Sequence, residues 1–175
     1  WISRNLMAYL KMAAGDRTRK LFLEIMNRPN RYIARDALTQ TTISFSALRD
    51  FYKDKDWMCD RITTLETHLR ILSTLAPYAA VNFIRKGMGY EQYLIEYAQY
   101  RKIRPEELLE VLDRIQESAK GMKNLEEWEN YIEDYTKKLA EQAKKQETKR
   151  EGIVISTLHA VKGLEYDKVY IMNVN

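Results

Sequence analysis

A single cysteine, Cys59, stands in 175 residues, so no internal disulfide can form, and the thiol suits a reducing, cytoplasmic setting. No apolar run approaches the roughly 20 residues of a membrane-spanning helix, and no leader-like pattern opens the chain, so no membrane partner is expected. Strong charge of one sign is also missing. With 29 Lys and Arg against 25 Asp and Glu, the net +4 permits nucleic acid without demanding it. Cysteine, histidine and carboxylates do not gather at metal-ligand spacing, so no metal site is expected. What is present is the composition of a globular protein, 45% hydrophobic and 31% charged. The chain opens at Trp1 rather than methionine and stops at Asn175 in an expected strand. Both ends read as cut, which suggests a segment of a longer protein.

Helical spacing dominates most of the length. Ile2, Leu6, Tyr9, Leu10 and Ala13 recur on one face, and Gly15-Asp16 breaks the pattern. A second short helix is expected from Arg17 to Arg28, stopped by Pro29. Asp36, Ser46 and Asp56 are the expected caps of three further helices, with Ala47, Leu48 and Phe51 turned inward on the second. The third, from Trp57 to Ala76, carries the seam Met58, Ile62, Leu65, Leu69, Leu72 and must pack on another helix. His68 beside that seam reads as a packed or solvated side chain. Pro77 and Pro105 fit first helical positions, and Asn124 caps a last long helix with the seam Leu125, Trp128, Ile132, Tyr135, Leu139. Between Lys144 and Gly152 apolar groups vanish, as in a solvated helix end running into a linker.

Lys86-Gly87-Met88-Gly89 separates two of these helices in a helix-hairpin-helix arrangement. The turn N–H groups, with Arg85 and Lys86, would suit a duplex-DNA phosphate. Gly87 would equally serve as a left-handed C-cap that merely reverses the chain. Tyr93 and Tyr97, one helical turn apart, fit boundary packing better than base stacking.

Near the C-terminus two short β-branched runs, 153–157 and 169–174, flank a loop of unusual chemistry. Thr157, His159, Lys162, Gly163 and Glu165 bring a hydroxyl, an imidazole, an ammonium, a glycine and a carboxylate into nine positions. The runs read as buried parallel strands, and such loops at strand ends gather ligands. The pattern Thr-x-His-x-x-Lys-Gly-Leu-Glu before a hydrophobic strand resembles motif V of UvrD/Rep/PcrA-type superfamily 1 DNA helicases. Leu6-Met7-Ala8-Tyr9-Leu10 resembles that family's Ala-Tyr-Leu helix. Residues Phe22 to Arg31 resemble its Phe-Leu-Arg-Ile-Ile-Asn-x-Pro-x-Arg segment. The family continues with Gly-Ile-Gly, where this chain has Tyr32-Ile33-Ala34, which puts a backbone contact to duplex DNA there in doubt.

The resemblance implies a mainly α fold. Residues 1–15 would be a flanking helix of the second motor domain (2A), residues 16–150 the inserted helical 2B subdomain, and residues 151–175 a strand-loop-strand remnant of a RecA-like α/β domain. It also implies that Thr157 and His159 face single-stranded DNA, while Glu165, with Lys162 and Gly163, faces bound nucleotide. ATP and magnesium would belong to the parent protein, because this chain has no Gly-x-x-x-x-Gly-Lys-Ser/Thr loop. The sequence leaves two further readings: a stand-alone DNA-binding module built on Lys86, Gly87, Met88 and Gly89, and a protein-interaction bundle using the two seams. Strands 153–157 and 169–174, parted from their sheet, are expected to pair with each other, to pair with a second copy, or to go disordered.

Overall fold

A computed structural model describes residues 1–132, 134, 137, 138, 155–157, 160–163, 165, 166 and 168–171. Two compact units divide the chain, Trp1–Glu133 and Asp134–Asn175. The first is a helical bundle: α1 Ile2–Ala13, α2 Arg19–Ile25, a 3-10 turn Arg35–Ala37, α3 Phe45–Phe51, α4 Asp56–Leu72, α5 Pro77–Asn82, α6 Tyr90–Arg101 and α7 Pro105–Ser118. Residues 125–132 are helical as well.

The core is built where the periodicity predicts. Met58, Ile62, Leu65, Leu69 and Leu72 are all buried along α4, and α1 packs against α2, α4 and α7. Four, three, four, three spacing keeps these five side chains on one stripe, so burial of that stripe holds α4 in place. The helix ends at Leu72 rather than Ala76. The hydroxyls of Ser73 and Thr74 donate to the carbonyls of Arg70 and Ile71, 2.7 and 2.8 Å away, and close the last turn.

Caps account for the other differences. Ser44, not Ser46, caps α3, with its Oγ accepting from Ala47 N at 3.3 Å. That register turns Phe45, Leu48 and Tyr52 inward and leaves Ala47 exposed and Phe51 52% exposed, against the expected face. Lys55 holds the cap position of α4 and Asp56 its first turn, where a carboxylate still suits the helix dipole. Asp36 likewise lies inside its 3-10 turn, capped by Ala34. Asn124 caps the 125–132 helix as expected, its Oδ1 accepting from Glu127 N at 2.9 Å.

A buried polar network fastens α1 to the rest. Asn5 Nδ2 donates to the Glu24 carbonyl at 3.2 Å, and Tyr90 OH donates to Asn5 Oδ1 at 2.9 Å. The chain between α2 and α3 is held in the same way. Asn27 Nδ2 donates to the Ile33 carbonyl and its Oδ1 accepts from Ile33 N, both at 2.9 Å. An isolated antiparallel bridge between Thr18 and Thr42 then draws the polar 39–42 loop onto the start of α2.

In the second unit, the expected strands 153–157 and 169–174 are described only over 155–157 and 169–171. These residues form no strand, so the β remnant is not seen among the described residues. Tyr135 and Leu139 of the last seam lie outside the described residues.

Candidate nucleic-acid interface

The C-terminal loop is organised by its threonine. Thr157 O accepts from Ala160 N at 3.1 Å and Val161 N at 3.2 Å, and Thr157 Oγ1 accepts from Ala160 N at 3.3 Å. Its side chain thus caps the turn at 160–163 while its O–H remains a donor for an incoming phosphate oxygen. Gly163 closes the turn at φ +86°, where a side chain would be strained, and a Cβ there would meet nothing within 4 Å. Lys162 and Glu165 are exposed, and neither has an ion-pair partner among the described residues. His159 lies outside the described residues. The turn therefore presents a hydroxyl, an ammonium and a carboxylate along one short segment, donors suited to phosphate and an acceptor suited to a sugar hydroxyl.

The Lys86–Gly89 hairpin is built differently from the expectation. Helix α5 runs into a π-helical turn, Phe83–Gly87, with Met88 N donating to the Phe83 carbonyl at 2.9 Å. The extra residue per turn moves the left-handed position onward: it is Gly89, at φ +75°, and not Gly87. Gly87 is required for another reason, because a Cβ there would lie 2.7 Å from the Phe83 ring. That ring also meets the His68 ring at about a right angle, centroids 5.4 Å apart. Burial, and then the Arg31 charge, lower the His68 pKa and favour the neutral, packed ring.

The hairpin's cations already have partners. Lys86 and Arg85 both bond the Glu91 carboxylate, and Arg85 also reaches Asp113 Oδ1 at 2.5 Å and Gln116 Oε1 at 3.0 Å. Burial opposes the charge on Arg85, but its bonds to Glu91 and Asp113 outweigh that and raise its pKa. Burial likewise pushes Glu91 up, and the bonds from Lys86 and Arg85 outweigh it, holding the carboxyl below its ordinary 4.5. Met88 is buried. A phosphate at this turn would have to displace Glu91, which makes the hairpin foremost a structural clasp between α6 and α7.

A carboxylate held low contributes stability that is present above its unfolded pKa and lost as pH falls through its folded one. Glu91→Gln is therefore expected to lower the melting temperature at pH 7, by the equivalent of about 1–3 kcal/mol. The deficit should shrink as pH falls below 4.5, because the wild-type protein then loses the same bonds. Melting curves of both proteins between pH 3 and 7 measure this directly.

Sequence reasoning passed over two groups that the structure brings forward. Asn27 and Arg31, in the segment resembling the family's Asn-x-Pro-x-Arg run, fold the turn itself, and Arg31 also ties it to Tyr9 of α1. Immediately after it, Tyr32 takes φ +60° and is 61% exposed. This is the position where the resemblance expects glycine. The left-handed backbone is kept although a tyrosine fills it, at a cost of about 1–2 kcal/mol.

The chain matches the UvrD-like helicase C-terminal domain over residues 3–175, and it belongs to that family. It is similar to a probable DNA helicase II homolog of Rickettsia conorii (strain ATCC VR-613 / Malish 7), at 24% identity over 184 residues. That alignment takes in 96% of this chain and 27% of the relative, so the chain spans about a quarter of the relative's length. No solved structure matches it.

Proposed function

We propose that this chain is the part of an ATP-dependent DNA helicase in which a 2B-like helical insertion, residues 16–150, sits between two pieces of the second motor domain, residues 1–15 and 151–175. The observation that carries this reading is the turn from Thr157 to Gly163, found within a family match that runs almost the full chain. In this reading Thr157, with His159, holds single-stranded DNA by its phosphates. Contacts of that kind fix position and ignore base identity, as a translocating motor requires. Glu165 accepts from the nucleotide sugar, and Lys162 and Gly163 line the triphosphate side. The 2B-like bundle contacts duplex DNA and regulates unwinding.

ATP and magnesium supply the driving hydrolysis when bound to the parent. This chain offers at most Glu165, Lys162 and Gly163 to that site, and its sequence holds no phosphate-binding loop to cradle the triphosphate. The isolated 175-residue chain is therefore expected to hydrolyse no ATP, with or without DNA.

In the parent, Thr157→Ala is expected to lower DNA-stimulated ATPase about tenfold or more and to weaken single-strand binding, with the basal ATPase largely kept. Thr157→Ser should retain most of the stimulation, since it keeps both the cap and the donor. Stimulation unchanged in Thr157→Ala would end the assignment of this loop to DNA.

A further inference from the structure

Away from the loop and the hairpin, three exposed side chains form a cluster: Trp57 and Arg61, one turn apart on α4, and Tyr32 from the chain between α2 and α3. The Arg61 guanidinium carbon lies 5.0 Å from the centre of the Tyr32 ring and 4.9 Å from the centre of the Trp57 ring. The two rings meet edge to face, 6.4 Å apart at 74°. Trp57 is 51% exposed, so both rings keep a large part of their surface in water. No hydrogen bond or ion pair engages Arg61 among the described residues, as is also true of the exposed Arg19, Arg35, Arg70 and Arg101 side chains, but Arg61 lies over two aromatic rings. Stability alone would favour glycine at Tyr32, where the left-handed backbone strains any other residue and the ring gains little burial. The strain keeps an aromatic ring on the surface beside an uncommitted cation.

We propose that Tyr32, Arg61 and Trp57 form a platform for one unpaired nucleotide of a nucleic-acid strand, with the base stacked on an exposed ring and the phosphate on the Arg61 guanidinium. A guanidinium held between two rings has already lost much of its rotamer freedom, and its planar fork of N–H donors matches phosphate oxygens. Base and phosphate come on the same ligand at about the reach of one nucleotide, whereas an acidic peptide would satisfy the cation and leave the rings unused. The interior of a duplex would offer the rings nothing to stack on. Asp56 and Asp60 lie close in sequence to Trp57 and Arg61, which limits the site to about one phosphate and a salt slope near −0.7. The proposal rests on the DNA-helicase reading for its choice of ligand, and it differs from a backbone contact to duplex DNA because the side chains of Tyr32 and Ala34 occupy the approach that glycines would leave open.

The test uses the 175-residue chain with fluorescein-labelled oligothymidylate, read by anisotropy and by quenching of tryptophan emission. Binding is expected, with Trp57→Phe removing most of the quench. Tyr32→Gly, Trp57→Ala and Arg61→Ala should each weaken binding about tenfold. Tyr32→Gly should leave the circular dichroism unchanged and keep or raise the melting temperature, because glycine suits that backbone, so its loss of affinity cannot come from unfolding. Lys20→Ala, at an exposed site on α2, serves as a control expected to bind like wild type. The proposal is overturned if wild type fails to bind the oligonucleotide, if Tyr32→Gly and Arg61→Ala bind as wild type does, or if polyglutamate competes and unlabelled oligonucleotide does not. Wild-type affinity in those variants, beside intact DNA-stimulated ATPase in the parent, would remove the platform and leave the helicase reading standing. Oligonucleotide binding that depends on the three residues, in a parent without ATPase, would do the reverse.

Discussion

Arg31→Leu is expected to destabilise the helical unit by about 3 kcal/mol and to lower its melting temperature by roughly 6–12 °C. Arg31 is 9% exposed and has no carboxylate partner among the described residues. Its charge is spread instead over oxygens: Nη1 donates to the carbonyls of Ile25 at 3.0 Å and Pro29 at 3.1 Å, and Nη2 donates to Tyr9 OH at 2.9 Å. Tyr9 OH passes the chain on to the Arg28 carbonyl at 2.7 Å. Leucine would fill much of the volume but remove three donor bonds at once; the Ile25 carbonyl keeps Arg28 N and Tyr9 OH keeps the Arg28 carbonyl, while the Pro29 carbonyl loses its donor. Burial raises the Tyr9 pKa and the Arg31 charge pulls it back, so the variant's tyrosine should titrate higher still. Arg31→Lys should be intermediate, because one ammonium cannot span all three oxygens. Urea titration followed by circular dichroism separates these cases. A change below about 1 kcal/mol for leucine would mean that the network does not hold the turn.

Trp128→Ala is expected to cost about 3–5 kcal/mol, the range for emptying a fully packed aromatic site. Trp128 is fully buried, and its indole Nε1 donates to Ser118 Oγ at 3.1 Å. Next to it, Glu129 pairs with Lys11 of α1 at 3.3 Å, so the 125–132 helix is fixed to both ends of the bundle's sequence. Removing the indole takes away the fully buried aromatic ring of that helix, and one part-buried ion pair does not replace that burial. Trp128→Phe keeps most of the ring area and loses the indole bond, and should cost about 1–2 kcal/mol. Hydrogen exchange of the 125–132 amides would separate local detachment from global loss. In the alanine variant they should exchange well before those of α4.

Much of the architecture could be read before any coordinates, and the reasons are physical. The α4 seam was legible because burial on one face leaves a periodic trace in the sequence, and all five seam residues are in the core. Caps were less legible. Ser44 and Ser46 are chemically equal candidates, and only the packing of Phe45 and Tyr52 decides which register wins. Gly87 and Gly89 were hard to separate for a similar reason. The chain passes from α5 into a π-helical turn, Phe83–Gly87, and the left-handed residue is Gly89; no local pattern in the sequence signals that turn.

The candidate sites divide along the same line. Thr157 and Gly163 were visible because a hydroxyl cap and a turn glycine act through their own backbone neighbourhood. Glu91 as the partner of Lys86 and Arg85 was not, since a charge read from sequence does not reveal what neutralises it. Tyr32, Trp57 and Arg61 come from two segments about 25 residues apart and share no motif. Only the tertiary fold places them together.

Asn5 joins segments of very different sequence distance, reaching Glu24 at a separation of 19 residues and Tyr90 at 85. Closing the longer loop costs about 1.3 kcal/mol more chain entropy than the shorter one. The order of assembly follows: the α1–α2 pair forms early from neighbouring chain, and docking of α6 onto it comes late. A nascent polypeptide would therefore hold a half-built bundle, with Asn5 awaiting its last partner, until residue 90 had left the ribosome.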